Sequence, residues 1–198
     1  MSKDDEYAKQ KLIIPKDTKL LVTSNRYFEL DAASEIWHAL RATGICDEAE
    51  IVFIRKGKWW LRGIIGVIFE GDAIFAIEKI RNYFVKRPWI MEYSQRVIPI
   101  EIVTTDINEL KDFVKKRGQE RISEKDRWMI KITKHDSKIK RRHLIDELAS
   151  LIDKGKVDLS NPKWIINVEV IKNTFACAII EKHHILRKKE LKNMIGMK

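Results

Sequence analysis

Cysteine is nearly absent from this chain, and so are the devices that depend on it. Cys46 and Cys177 stand alone, neither with a second cysteine at metal-ligand spacing. No CxxC zinc site and no disulfide framework is therefore expected, and both should pack as small apolar side chains. Long apolar runs are missing too: nothing approaches the ~20 residues that a membrane-crossing helix needs. Residues 2–10 are mixed-charge and polar where a secretory signal would carry its apolar segment, so the expected location is cytoplasmic, away from membranes. Catalytic signatures are equally scarce. The sequence has no Walker A loop, no GxGxxG turn and no nucleophile elbow. It also has no HxE with PCxxC, which excludes the zinc-deaminase arrangement. No internal repeat, low-complexity tract or Gly/Ser linker interrupts it, and no cofactor or metal site is expected.

What is present is charge, unevenly placed. The 198 residues are 44% hydrophobic and 34% charged, enough for one domain or two small ones with a real core under a charged surface. The net charge is +10. Residues 1–99 hold 16 Lys and Arg against 14 Asp and Glu, whereas residues 100–198 hold 23 against 15. A positive field of that kind attracts polyanions and binds them by counterion release, which makes nucleic acid the leading partner class and an anionic membrane the second.

Periodicity divides the chain in two. After a polar lead-in over residues 1–18, Leu20, Leu21 and Val22 mark a first strand. Asp31 is placed to cap a helix with Ala33, Ile36, Trp37 and Leu40 on one face, and Gly44 stops it. Residues 51–55 and 59–69 read as a hairpin through Lys56-Gly57-Lys58. Asp72 then caps a helix carrying Ala73, Ala76, Ile77, Ile80 and Phe84, which Pro88 ends. Residues 96–104 alternate Ile98, Ile100 and Ile102 as a last strand, and Pro99 suggests an edge or a bulge there. The order is βαββαβ, predicting an α/β (α+β) fold with a ferredoxin-like unit over residues 19–105.

A second α/β unit is predicted over residues 106–187. Asp106 and Glu109 form a capping-box pair before Ile107, Leu110, Phe113 and Val114, with Gly118 as the stop. Trp128, Ile130 and Ile132 alternate along a half-buried strand. Ser137 is placed to cap a helix with Ile145, Leu148 and Ile152, closing at Gly155, and a β-hairpin turns at Asn173-Thr174. A basic tail over residues 188–198 follows. Nine cations lie between Arg121 and Arg142, namely Arg121, Lys125, Arg127, Lys131, Lys134, Lys138, Lys140, Arg141 and Arg142, against Glu124, Asp126 and Asp136. Cations at a helix start oppose the macrodipole at ~0.3–1 kcal/mol each, so fold stability would not place them there. A docked phosphate would use both the free N–H groups and the side chains. The expected RNA-binding set is Arg127, Lys131, Lys134, Lys138, Lys140, Arg141 and Arg142, converging on one face; the bland alternative is a solvated charged surface.

Residues 127–187 resemble the THUMP domain of tRNA-modifying systems. The run Lys156, Val157, Asp158, Leu159, Ser160, Asn161, Pro162, followed by Val168, Glu169, Val170, Ile171 and Lys172, is similar to the single-THUMP adaptor for tRNA 4-acetylcytidine formation. The resemblance implies a non-catalytic protein that grips the acceptor end of tRNA and presents it to an RNA acetyltransferase. Acetyl-CoA and ATP would then be bound by that partner. Asp158, Asn161 and Pro162 are expected to shape the turn into the hairpin. Glu169 is expected to pair with a nearby Lys or Arg.

Other residues leave alternatives open. Lys56, Lys58 and Arg62 interleave with Trp59 and Trp60, and one of the two rings is free to stack on an unpaired base. Ser24-Asn25-Arg26 is the only anchor for an acylphosphatase-like hydrolase. A general RNA-protein scaffold would use the same basic face. His135 and His143 flank the basic turn, where they assist RNA contact or cap locally. His183 and His184, adjacent on a strand, would face opposite sides. Gly63 and Gly66 mark a bulge or close packing.

Overall fold

A computed structural model describes residues 13–56, 59–194 and 196, and of residues 55, 56, 59 and 60 the backbone alone. The first sheet grows from strands β1 (Thr18–Ser24), β2 (Glu50–Lys56), β3 (Trp59–Ile68) and β4 (Ser94–Pro99), with helices α1 (Glu29–Ala42) and α2 (Ala73–Lys86) between them. Its pairings β4-β1-β3-β2 are all antiparallel, in the βαββαβ order that the sequence predicts. Asp72 caps α2, its carboxylate accepting the Phe75 N–H at 2.7 Å. Asp31 does not cap α1. That helix begins three residues earlier, at Glu29 after Phe28, with no side-chain cap, and Asp31 lies in the first turn, where a carboxylate favours the macrodipole.

Residues 96–104 make two strands, not one. Ile100 N–H bonds to Lys19 O in the first sheet, while Glu101 N–H bonds to Cys177 O in the second. The chain thus crosses between sheets from Ile100 to Glu101, and β5 (Ile102–Thr104) belongs to the second. Nor is β4 an edge. A late strand, β10 (Leu186–Arg187), pairs with it, and Pro99 closes β4 where the ladder ends.

The second sheet, in the order β5-β9-β8-β6-β7, contains β6 (Arg127–His135), β7 (Lys156–Val157), β8 (Trp164–Ile171) and β9 (Thr174–Glu181). Helices α3 (Ile107–Arg121) and α4 (Arg141–Ala149) cover its outer face. The capping box at α3 is relayed: Glu109 accepts the Thr104 hydroxyl at 2.5 Å, and Thr104 Oγ1 accepts the Asp106 N–H at 2.9 Å. Gly118 does not stop α3, which continues to Arg121. It is buried there with its missing side chain opposite the tip of Ile152, so close packing of the next segment overrides its poor helix propensity. Gly155 closes the turn after α4. Its φ is +71°, and a Cβ would lie 2.6 Å from the Asp126 carbonyl oxygen.

The layers run helix, sheet, sheet, helix. Alternate residues of one strand serve different cores: Leu20 and Val22 pack under α1 and α2, whereas Leu21, with Ile64 and Ile98, packs against Ile165, Ala176, Ala178 and Ile180 of the second sheet. Strands β8 and β9 are therefore buried on both faces, which explains their near-continuous apolar sequences. The described end of the lead-in is packed. Ile14 is fully buried in the inter-sheet core, a gain of about 1.5–3 kcal/mol for a side chain of that size. The basic tail is likewise anchored, since α5 (Lys188–Met194) buries Leu191 in the first core.

Candidate nucleic-acid interface

Strand β6 ends at His135, and the chain then turns through Asp136, whose φ is +54°. Ser137 does not cap the helix. Its hydroxyl accepts the Ile139 N–H at 3.3 Å, so the loop continues, and α4 starts at Arg141 with Lys140 as an N-cap residue that offers no side-chain bond. Lys138 and Lys140 thus stand in the loop, and Arg141 and Arg142 in the first turn. All four are exposed. No acidic residue occupies that turn. This loop and the helix start follow the His135 end of β6, and a phosphate docked there would meet both backbone N–H groups and cations.

A cavity of about 750 Å³ opens beside this loop, lined by Ile13, Asp136, Ser137, Lys138, Ile139, Lys172 and Asn173. Lys172 was not in the expected set. Its φ of +54° and the bond from its N–H to His135 O at 3.0 Å place the β8–β9 turn alongside the β6–α4 loop. Adjacency of those two turns follows from the parallel pairing of β6 with β8, which local sequence does not reveal. A second cavity of about 480 Å³ continues past Ile139 to Lys140, His143 and Glu147. His143 Nδ1 lies 3.1 Å from Glu147, which a hydrogen bond from Lys111 keeps below the usual carboxylate range.

Residues 104–179 match the THUMP domain family model. This segment is a THUMP domain. A search of curated proteins returned no match. Among solved structures, PH1313 from Pyrococcus horikoshii Ot3 is similar over 83% of this chain and 55% of its own, with 11% identity and a TM-score of 0.53, which extends the fold likeness beyond the THUMP domain. The solution structure of the THUMP domain of THUMP domain-containing protein 1 matches at 24% identity and TM-score 0.34, over 38% of this chain and 85% of its own. A 4-thiouridine synthetase, solved with RNA and bound ATP, matches at 14% and 0.47, over 83% and 42%. The chain spans about half the length of PH1313 and of the synthetase.

The nine cations do not all share one face of the THUMP domain. Arg127 sits at the opposite end of β6, about 26 Å from His135 at ~3.3 Å per residue, and pairs with Asp158 at 3.0 Å. Asp158 also accepts the Asn161 and Ser160 N–H groups, which lower its pKa and build the turn as expected of it. Arg121 makes a bidentate pair with Glu101 at 2.8 Å. Lys134 lies on the helix-covered face near the end of β6, beside the cluster. Lys131 is half-buried, because its side of β6 meets the first sheet, and burial, then Arg187 and Arg96, hold its pKa down. Beside it on β8, Glu169 is almost fully buried, taking His135 at 2.8 Å and Arg96 at 3.6 Å, which fulfils the pairing expected of it.

In the first sheet Arg62 stacks on Tyr27, and Lys56, Lys58, Trp59 and Trp60 lie outside the described side chains. Ser24-Asn25-Arg26 forms the β1–α1 turn, where the Ser24 hydroxyl donates to Asn25 O at 2.9 Å. Gly63 marks the tight approach expected of it, with φ +79° and space for a Cβ only 3.0 Å from Ser24 O. His183 and His184 occupy a one-turn 3-10 segment, not a strand, so their rings lie 4.0 Å apart and share Glu78 as a neighbour. Glu181 N–H donates to His184 Nδ1 at 3.1 Å, which leaves the proton on Nε2, facing Glu78 at 3.2 Å. A metal on Nε2 would require that proton on Nδ1, against another donor. Glu181, His184 and Glu78 form a hydrogen-bonded cap.

Proposed function

We propose that this chain binds tRNA in a tRNA-modification system, as a non-catalytic adaptor that grips the acceptor end and presents the tRNA to an RNA cytidine acetyltransferase for 4-acetylcytidine formation. In this reading a ferredoxin-like unit over residues 19–105 buttresses the THUMP unit, and Lys134, Lys138, Lys140, Arg141, Arg142 and Lys172 receive the sugar-phosphate chain. The observation that carries it is an uncapped helix start with four exposed cations beside a 750 Å³ cavity, within the segment that matches the THUMP model. Perturbed carboxylates elsewhere serve structure. Asp126 is held far below the usual range, first by the Ser123 N–H and then by Lys163, and Asp158 by its own turn.

Adaptor action is positioning: holding both tRNA and enzyme converts a bimolecular encounter into a local one. The test is competition binding with intact tRNA and tRNA lacking its 3′ end, followed by acetylation assays with the partner enzyme. Preference for the intact end, and acetylation that depends on this chain, support the adaptor. Indifference to the 3′ end points to a general RNA scaffold, and phosphate release from an acyl phosphate, lost in Arg26→Ala, would point to the hydrolase.

A further inference from the structure

Away from the basic loop, the start of α1 carries large apolar side chains that the fold leaves uncovered. Tyr27 is 73% exposed and Leu30 71%, with Phe28 at 43% and Tyr93 at 37%. They are organised. Phe28 and Tyr93 stack at 5.4 Å with their planes 21° apart, and the Arg62 guanidinium lies 4.2 Å from the centre of the Tyr27 ring. A cavity of about 410 Å³ opens beside Tyr27 and Arg62, lined also by Glu29, Leu30, Phe53 and Leu61, and the Phe28–Tyr93 stack adjoins it through the chain.

Tyr27 has a φ of +76°. A bulky residue takes that conformation only under constraint, and glycine would take it freely. Yet the ring held at this strained backbone is the most exposed of the large apolar residues described. Packing does not account for it, so a ligand is the better explanation.

Charge identifies the ligand class. The one carboxylate in the cavity wall, Glu29, accepts the Gly63 N–H at 2.5 Å, while Arg26 and Arg62 are exposed. Strands β2 and β3 run from this patch into the hairpin where Arg55 pairs with Trp60 and Lys56 with Trp59 in backbone register. Flat aromatic faces among cations suit a polyanion whose own units are flat rings.

We propose that Tyr27, Phe28, Arg62 and Tyr93 form a stacking platform for the unpaired bases of single-stranded RNA, separate from the phosphate-binding loop of the THUMP domain. The proposal rests on the reading of this chain as an RNA-binding protein. Fluorescence anisotropy of the full chain with a labelled, unstructured RNA of roughly six nucleotides, and with a blunt RNA duplex, tests it. Tyr27→Gly removes the ring while relaxing the backbone, and Phe28→Ala removes the stacked partner of Tyr93. Each is expected to weaken single-strand binding about ten-fold. Duplex affinity should hold and the melting temperature of Tyr27→Gly should not fall. Unchanged single-strand affinity in both folded variants overturns the platform, leaves the broader RNA reading standing, and would fit a protein partner on this patch. Failure of the unaltered chain to bind any RNA would instead defeat both.

Discussion

Arg96 on β4 reaches across to Glu169 on β8, 3.6 Å away, and so ties the two sheets through a carboxylate that is 1% exposed. His135 holds the same carboxylate oxygen at 2.8 Å, and Asn167 Nδ2 donates to the other at 3.4 Å. Removing one member of a buried charge pair leaves the rest uncompensated and costs about 3–5 kcal/mol. Glu169→Ala should therefore lower the unfolding free energy measured by urea denaturation by an amount in that range, leaving Arg96 without its buried counter-charge. Arg96→Ala combined with Glu169→Ala should cost much less than the sum of the single changes. Additive effects would show that the pair does not couple the sheets.

His184 makes stability depend on pH. Burial is the main cause that lowers its pKa, partly offset by Glu78, while His183 lowers it further and Glu181 raises it. The unfolded chain takes up a proton near the ordinary histidine value of about 6.5, and the folded chain only at lower pH. Between those values the unfolded state binds more protons, so stability should fall as pH drops through that window and stay level above it. His184→Gln should flatten the fall in urea midpoint between about pH 7.5 and pH 5.5. An unaltered pH slope in that variant would assign the dependence to another group.

The apolar run Leu20, Leu21, Val22 and the run 59–69 were legible in sequence as strands, but which neighbour each face meets was not. Local patterns specify that a strand has two apolar faces. They do not specify that one face will meet a second sheet contributed by residues more than 100 positions away. The same limit applies to the site. The cations at Lys138, Lys140, Arg141 and Arg142 could be read from their spacing, because helix-start electrostatics are local. For Lys131, alternation alone does not say that the polar side of β6 is partly covered. Lys172 was missed because its proximity to Asp136 depends on parallel β6–β8 pairing.

Lys131 provides a test of that placement. It is partly buried between the sheets near Arg96 and Arg187, and among the described residues it makes no hydrogen bond or ion pair, while Arg187 is paired with Glu190 at 2.6 Å. A half-buried cation beside two others, which Glu169 and Glu190 offset only in part, destabilises the fold. Lys131→Met keeps the length of the side chain and removes the charge, so the melting temperature should rise by a few degrees. tRNA affinity should change less than two-fold. A large loss of tRNA binding without loss of stability would instead place Lys131 in the interface.

The first turn of α4 makes the opposite prediction. Arg141 and Arg142 are exposed and bond to no described residue, and their charges oppose the helix dipole, so the fold gains nothing from them. The double change Arg141→Ala, Arg142→Ala should leave the far-ultraviolet circular dichroism intact and raise the melting temperature slightly. Binding should weaken by about ten-fold at low salt, because two phosphate contacts and their released counterions are lost. The slope of log affinity against log salt should become shallower by about 2, one for each cation removed. Weakened binding with an unchanged slope would mean that the arginines act through shape, not charge. An unchanged affinity in a folded variant would move the interface off this helix start altogether.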